Sequence, residues 1–292
     1  MLTISSLHPV SSAFYFLSVM IFSMFSQNPI IALLSFLGGV FYYSKLVKRS
    51  ILKEILFYLL VFTIVSLTNP LFSHRGNTIL FFFNNNPITL ESMFYGMNIA
   101  LMLISVLFWF KCFNIVITEE KLLLIFGKLS PKIAILVSAS LRFVPLLKEQ
   151  SLKIRDTQKT MGMFSSESWL VKIKNTLRMY SALLTWAFEN AIDSGLSMKS
   201  RGYGTCKRTT FSIFKISAQD YVSVLLLFLF DFAVLFALGK GTLDVSFYPT
   251  FSFQNFDMTN ITAIVSFALL SFLPFILELK EDVQWKYYKS KI

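Results

Sequence analysis

What most limits the fold of this chain is its recurrence of long apolar stretches that carry almost no charge. They run from Val10 to Ser26, Pro29 to Ser44, Ile55 to Phe72, Thr89 to Ile117, Tyr221 to Leu238 and Ile261 to Leu277. Roughly 17–25 such residues cross a bilayer as a helix, and in lipid a helix satisfies its own backbone hydrogen bonds. Composition agrees, because only 15% of the 292 residues are charged, against about 25% in soluble domains. The mean hydropathy is +0.63. The predicted fold class is an all-α integral membrane protein with about six transmembrane helices, plus two or three long amphipathic cytoplasmic helices.

The breaks between the runs are chemically legible. Gln27-Asn28-Pro29 reads as a tight turn, Gly38-Gly39 loosens the second run, and Asn69-Pro70 ends the third. Residues 73–87 are polar and turn-rich around a short apolar β-like run, predicted to lie outside with a re-entrant or surface piece. Residues 239–260 form a second outer loop, and Glu278 to Ile292 a charged tail with Trp285, Tyr287 and Tyr288 for the interface. No basic leader with a small-residue cleavage site precedes the first run, which is expected to be retained as a span. Cys112 and Cys206 lie far apart without metal-ligand spacing, so free thiols are expected.

Orientation follows from the basic residues. The chain carries 27 Lys and Arg against 16 acids, and 16 of the 27 lie between Ile117 and Lys215. Lys45, Lys48, Arg49 and Lys53 follow the second run, and four more lie in the tail; the remaining loops hold only Arg75 and Lys240. Basic loops mark the cytoplasmic side, which predicts a multi-pass cell-membrane protein with both termini and the middle region cytoplasmic. The net charge of +11 is clustered in this way, so acidic partners and lipid are expected and nucleic acid is not. Three regions result: 1–117, a transmembrane bundle of about four spans; 118–215, cytoplasmic or interfacial helices; and 216–292, a transmembrane pair with its tail.

In the middle region Ser130-Pro131 is a helix start. Ile133, Leu136, Val137, Leu141 and Val144 then fall at helical spacing, opposite Lys132, Arg142 and Glu149. Pro145 should kink this helix; its second half becomes strongly charged and stops at Gly162. Ser165-Ser-Glu-Ser168 supplies the next N-cap, and a helix from Trp169 to about Ser200 carries Leu177, Leu184, Phe188 and Leu196 on one side and ends at Gly202. Each helix, apolar on one face and basic on another, should lie along the membrane boundary. Both finish alike, Lys159-Thr-Met-Gly162 and Lys199-Ser-Arg-Gly202. Such an end could offer a guanidinium to a carboxylate on another protein; an ordinary capped terminus reads equally well.

These residues, together with His8-Pro9, Asn69-Pro-Leu-Phe-Ser-His-Arg-Gly76, Ser140-Leu-Arg-Phe-Val-Pro145 and Ile154-Arg-Asp-Thr-Gln158, carry a resemblance over nearly the whole chain. The chain resembles the T component, the transmembrane coupling subunit, of energy-coupling-factor transporters, the family that includes the cobalt-transport CbiQ proteins. The resemblance implies a non-catalytic subunit of an ATP-driven importer of vitamins or metal ions. Two ABC-type ATPase subunits would bind the ATP and Mg, this chain holding no cofactor or metal itself, and a membrane substrate-binding S component would rest on the coupling helices. Ser200, Arg201 and Gly202 match the family's small-Arg-Gly docking motif. The other tip, Lys159, Thr160, Met161 and Gly162, departs from it, with Met161 in the arginine's place, which implies apolar packing supported by Lys159 and Arg155. Leu136, Leu141, Val144, Leu184 and Phe188 are the implied S-component contacts, and Met161, Met163, Met179 and Met198 suit an adaptable interface.

Other functions fit less well. Gly127-Lys-Leu-Ser130 and Gly239-Lys-Gly-Thr242 lack the upstream glycine of a phosphate-binding loop, Leu122 and Val234 standing there. An intramembrane enzyme would need clustered Asp or His for metal and phosphate, and the acids here are scattered. Asp231, inside the fifth run, is the one feature a secondary transporter could use; the plainer reading is that it meets a hydroxyl or amide on a neighbouring helix.

Overall fold

The computed structural model describes residues 4–47, 52–73, 75–83, 86–163, 168–205, 217–243, 245–252 and 257–290. Lys48, Arg49, His74, Cys206 and residues 165–167, all used above, lie outside them. By internal contacts the chain divides into two units, Met1–Leu122 with Phe214–Ile292, and Leu123–Ile213.

The first unit holds the apolar helices: α1 (Pro9–Phe25), α2 (Pro29–Leu46), α3 (Leu52–Phe72), α4 (Leu90–Val116), α8 (Ala218–Gly239) and α9 (Met258–Lys289). All but α1 are long and apolar enough to cross a membrane, and α1 is a shorter apolar helix of 17 residues. The turn between α1 and α2 works as expected: Asn28 caps α2, its side chain accepting from the Ile30 N–H at 3.0 Å, and Pro29 takes the first helical position.

The interior of this unit is built on Trp109 of α4. The rings of Tyr15, Phe16 and Tyr42 surround it at 6.1–6.3 Å, and its indole N–H donates to the Ser35 carbonyl and hydroxyl at 3.1 and 3.0 Å. Tyr15 reaches across to donate to the Leu270 carbonyl of α9 at 2.9 Å. Lipid gives apolar helices no hydrophobic drive to associate, so close packing and such bonds decide which helices meet. Gly38 and Gly39 supply the closeness. A Cβ at Gly38 would stand 2.8 Å from the Ser271 carbonyl oxygen, and one at Gly39 would stand 3.2 Å from the Phe108 Cβ. The pair therefore does not loosen α2; it is where α9 and α4 approach its backbone.

The third run ends at Phe72 as read, with Asn69-Pro70 inside the last turn of α3. Pro70 has no N–H to offer the Ser66 carbonyl, which instead faces α4 at Gly96, where an added Cβ would stand 2.5 Å from its oxygen. Asn69 uses its amide to donate to the Ser92 carbonyl of α4 at 2.9 Å. The tail after Leu277 is not a separate segment but the second half of α9, which continues through Pro274 to Lys289. Glu and Lys are good helix formers, so leaving an apolar environment gives the helix no reason to stop.

The β-like run between the third and fourth spans is an antiparallel hairpin, β1 (Ile79–Phe83) with β2 (Asn86–Thr89). Its base is tied to α4 by Glu91, which accepts from the Thr78 hydroxyl at 2.8 Å.

At the opposite end of the bundle residues 4–8 form a strap anchored by the buried Ile4 and His8. Lys121 donates to the carbonyls of Ser5 and Val116 at 2.8 and 2.9 Å. The His8 N–H donates to Asp220 Oδ1 at 2.7 Å, and Asp220 also closes a capping box with Ser217 at the start of α8. His8 in turn caps α1, its Nδ1 accepting from the Val10 N–H at 3.3 Å. The strap is thus bonded both where the chain leaves this unit and where it returns.

The second unit holds α6 (Pro131–Thr160) and α7 (Trp169–Ser200). With 30 and 32 residues, each is about 45 Å long at 1.5 Å per residue. A short helix the sequence reading did not single out, α5 (Glu119–Leu129), straddles the boundary between the units. The N-cap positions of α6 and α7 are Ser130 and Ser168, as expected, and α6 is continuous through Pro145.

Candidate functional site

The two glycine-ended tips singled out in the sequence share one backbone. At the end of α6 the Gly162 N–H donates to the Lys159 carbonyl at 3.0 Å and the Met163 N–H to the Gln158 carbonyl at 3.1 Å. At the end of α7 the Gly202 N–H donates to the Lys199 carbonyl at 3.0 Å and the Tyr203 N–H to the Met198 carbonyl at 3.0 Å. This pair of reversed bonds satisfies carbonyls that the helix leaves open, and it needs a left-handed residue just past the cap. Gly162 and Gly202 provide it, with φ of +76° and +78°. Met161 and Arg201 occupy the corresponding C-cap positions.

Hydroxyls finish the turns. Thr160 donates to the Thr157 carbonyl at 2.8 Å, Ser200 to the Ser197 carbonyl at 2.9 Å and Thr205 to the Gly202 carbonyl at 2.7 Å. Every tip residue from Lys159 to Gly162 and from Ser200 to Gly202 is exposed. Met161, a side chain that would ordinarily seek cover, is 68% exposed. Among the described residues the Arg201 guanidinium enters no ion pair. It sits where the negative end of the helix dipole favours a cation, and it remains available to a carboxylate.

The tips differ in bracing. Asn175 of α7, buried, donates its amide to the Met163 carbonyl, and Arg178 reaches the Met163 sulfur at 3.9 Å. The turn after α6 is therefore fastened to the first third of α7. Nothing in the sequence marks Asn175 for this role, since a single Asn among Lys and Thr reads as a solvent-facing residue. Along α6, Glu149 and Lys153 pair at 2.8 Å one turn apart, and the hydrogen bond from Lys153 holds the Glu149 carboxyl below its ordinary range.

The apolar residues expected to meet a partner are largely uncovered in this unit. Leu136, Val144, Leu184 and Phe188 are exposed, and Leu141 is half-buried. On α7 the exposed row is longer than the sequence reading gave, adding Tyr180 and Ile192 between Leu177 and Leu196.

Asp231 lies apart from all of these, buried in the first unit on α8. Its Oδ1 has no hydrogen-bond partner among the described residues, and the Ser18 hydroxyl of α1 donates to the Tyr15 carbonyl at 2.9 Å. Among those residues no three His, Cys, Asp or Glu side chains gather to hold a metal.

Comparison with known proteins adds three kinds of likeness. The profile of the family described as CbiQ, cobalt transport protein, matches residues 3–213. The energy-coupling factor transporter transmembrane protein EcfT of Brevibacillus brevis is 30% identical over 200 residues, covering 62% of this chain and 74% of that protein. The EcfT of Lactobacillus helveticus is 35% identical over 95 residues, 32% of this chain and 34% of that protein. An uncharacterized MG181 homolog of Mycoplasma pneumoniae is 32% identical over 110 residues, 37% of this chain. Against these last two the match spans only 34% and 25% of the relative's own length.

Proposed function

This chain belongs to the CbiQ family of cobalt transport proteins, which are membrane components of transport and not enzymes, and we propose that it is the coupling subunit of an energy-coupling-factor importer. Two ABC-type ATPase subunits hydrolyse Mg-ATP, and their closing motion enters this chain at the ends of α6 and α7. The helices carry the motion to a membrane-embedded S component that holds the substrate. Both termini and the second unit face the cytoplasm, as the distribution of basic residues supports.

The observation that carries the proposal is the pair of exposed, left-handed helix ends with one shared backbone and two different side chains. A helix end closed on itself is stiff, so a push at Arg201 is delivered along α7 rather than absorbed in a frayed terminus. Arg201, with Ser200 and Gly202, anchors one ATPase through a charged hydrogen bond. Met161, with Lys159, Thr160 and Gly162, meets the other through apolar contact. Leu136, Leu141, Val144, Leu184 and Phe188 form the surface on which the S component rests and slides.

Arg201→Glu tests this directly. It should abolish or strongly weaken co-purification with the ATPase pair while the chain still inserts in the membrane. Unchanged assembly and unchanged uptake would remove Arg201 from the docking site.

A further inference from the structure

Away from the tips, a slot of about 280 Å³ opens between α2, α3 and α4. Its floor is Tyr58, Ile104 and Phe108, all buried, and Ile55 stands exposed at its rim. Phe36 and Leu101 line its deeper part, and no charged side chain lines it. A compact polar cluster adjoins it beside Tyr58. Lys111 pairs with Glu54 at 2.5 Å, the Tyr43 hydroxyl donates to Glu54 at 2.6 Å, and the ammonium lies 5.3 and 4.8 Å from the Tyr43 and Tyr58 ring centres.

The dimensions narrow the occupant. From Leu101 to Lys111 along α4 is about 15 Å at 1.5 Å per residue, close to half of a roughly 30 Å hydrocarbon core. The slot and the polar cluster beside it therefore together span about one leaflet, and the cluster lies at the side of the bundle where α2 ends in Lys45. A dry apolar cavity of about 150 Å³ holds one benzene, so this one has room for a chain of roughly a dozen carbons. It continues the exposed apolar face of α3, where Leu56, Phe57 and Leu60 are all more than half exposed. Lysine and tyrosine at the mouth match the chemistry of a membrane interface.

We propose that this slot holds one acyl chain of a phospholipid, with the phosphate at Lys111 and the chain end near Leu101. The proposal rests on the membrane reading of the chain and is independent of the docking of ATPases. The cluster at the mouth pairs one Lys with one Glu, so the chain rather than the headgroup charge is selected. Bound there, the lipid fills the seam between α3 and the rest of the bundle and fixes where α3 sits.

The test uses the full-length chain in vesicles of phosphatidylethanolamine and phosphatidylglycerol. A small fraction of phosphatidylcholine carries a photoactivatable diazirine in mid-chain. After irradiation, mapped adducts should concentrate on Phe36, Ile55–Phe62 and Leu101–Phe108, well above the equally apolar exposed residues Leu225 and Phe232 of α8. Excess unlabelled lipid should erase that enrichment saturably. Ile104→Trp, which fills the slot, should abolish the enrichment and leave the α8 adducts. Adducts spread simply in proportion to exposure would overturn the proposal and mark the slot as a seam awaiting a partner helix. Enrichment that survives Ile104→Trp would overturn it too. Should that variant not insert, the wild-type distribution and its competition decide the matter.

Discussion

Replacing Gly202 by alanine isolates the mechanical part of the docking tip. The backbone there has φ of +78°, a conformation that costs an L-residue about 1–2 kcal/mol. Space is nearly free, because an added Cβ would meet only the Thr205 hydroxyl, at 3.3 Å. The penalty is therefore conformational, and it lowers the closed-to-open ratio of the turn by about 5–30-fold. If the ATPase recognises only the closed turn, the apparent Kd rises by up to that factor. Asparagine tolerates the left-handed region, so Gly202→Asn should recover most of the loss. Gly162→Ala is the matched control, since φ is +76° and nothing lies within 4 Å of the added carbon; it should disturb the Met161 tip and leave Arg201 docking intact. Affinity for the purified ATPase pair would be measured on the chain in nanodiscs, alongside hydrogen exchange at the Tyr203 amide, which donates across the turn to Met198. Unchanged protection of Tyr203 would refute the claim that glycine holds the turn. Lost protection with unchanged affinity would refute the claim that the turn is what docks.

Other outcomes can be stated briefly. Met161→Arg should be tolerated or shift ATPase affinity modestly, because the side chain is already exposed; complete loss of assembly in a pull-down would point to a tight apolar socket on the partner. Gly38→Val should lower the melting temperature of the solubilised chain, since its Cβ would press to 2.8 Å on the Ser271 backbone at a cost of about 1–3 kcal/mol. Lys121→Ala removes its bonds to the Ser5 and Val116 carbonyls, the second of them buried, at about 1–3 kcal/mol, and limited proteolysis should then cut the N-terminal residues faster than in the wild type. In a Cys206→Ser background, a cysteine at Asn77 should react with an impermeant maleimide on intact cells, and one at Ser168 only after permeabilisation.

How far the sequence could be read depended on whether a feature is local. The spans were legible because a charge-free run is a property of the run itself. The helix tips were legible for the same reason, since glycine after a Lys/Ser-rich turn dictates its own geometry. The stretch from Glu278 reads in the sequence only as a charged tail, and its helical continuation to Lys289 shows that these residues favour helix outside the apolar run as well. Gly38-Gly39 was misjudged because its meaning lies in Ser271 and Phe108, more than sixty residues away in the chain. The Asn175 brace and the Lys121 and Asp220 bonds were out of reach altogether, because each joins a polar group to a carbonyl or N–H that no side-chain pattern reveals.

The strap of residues 4–8 sets a condition on any handling of this protein. Both joints of the segment from α5 to Ser217 are pinned to it, by Lys121 at one end and Asp220 at the other. The strap is therefore a shared anchor: a load placed on Ser5 or His8 reaches Lys121 and Asp220 together. An N-terminal fusion that drags on the strap, or a truncation that removes it, would leave Lys121 and the start of α8 without these bonds and α1 without its cap.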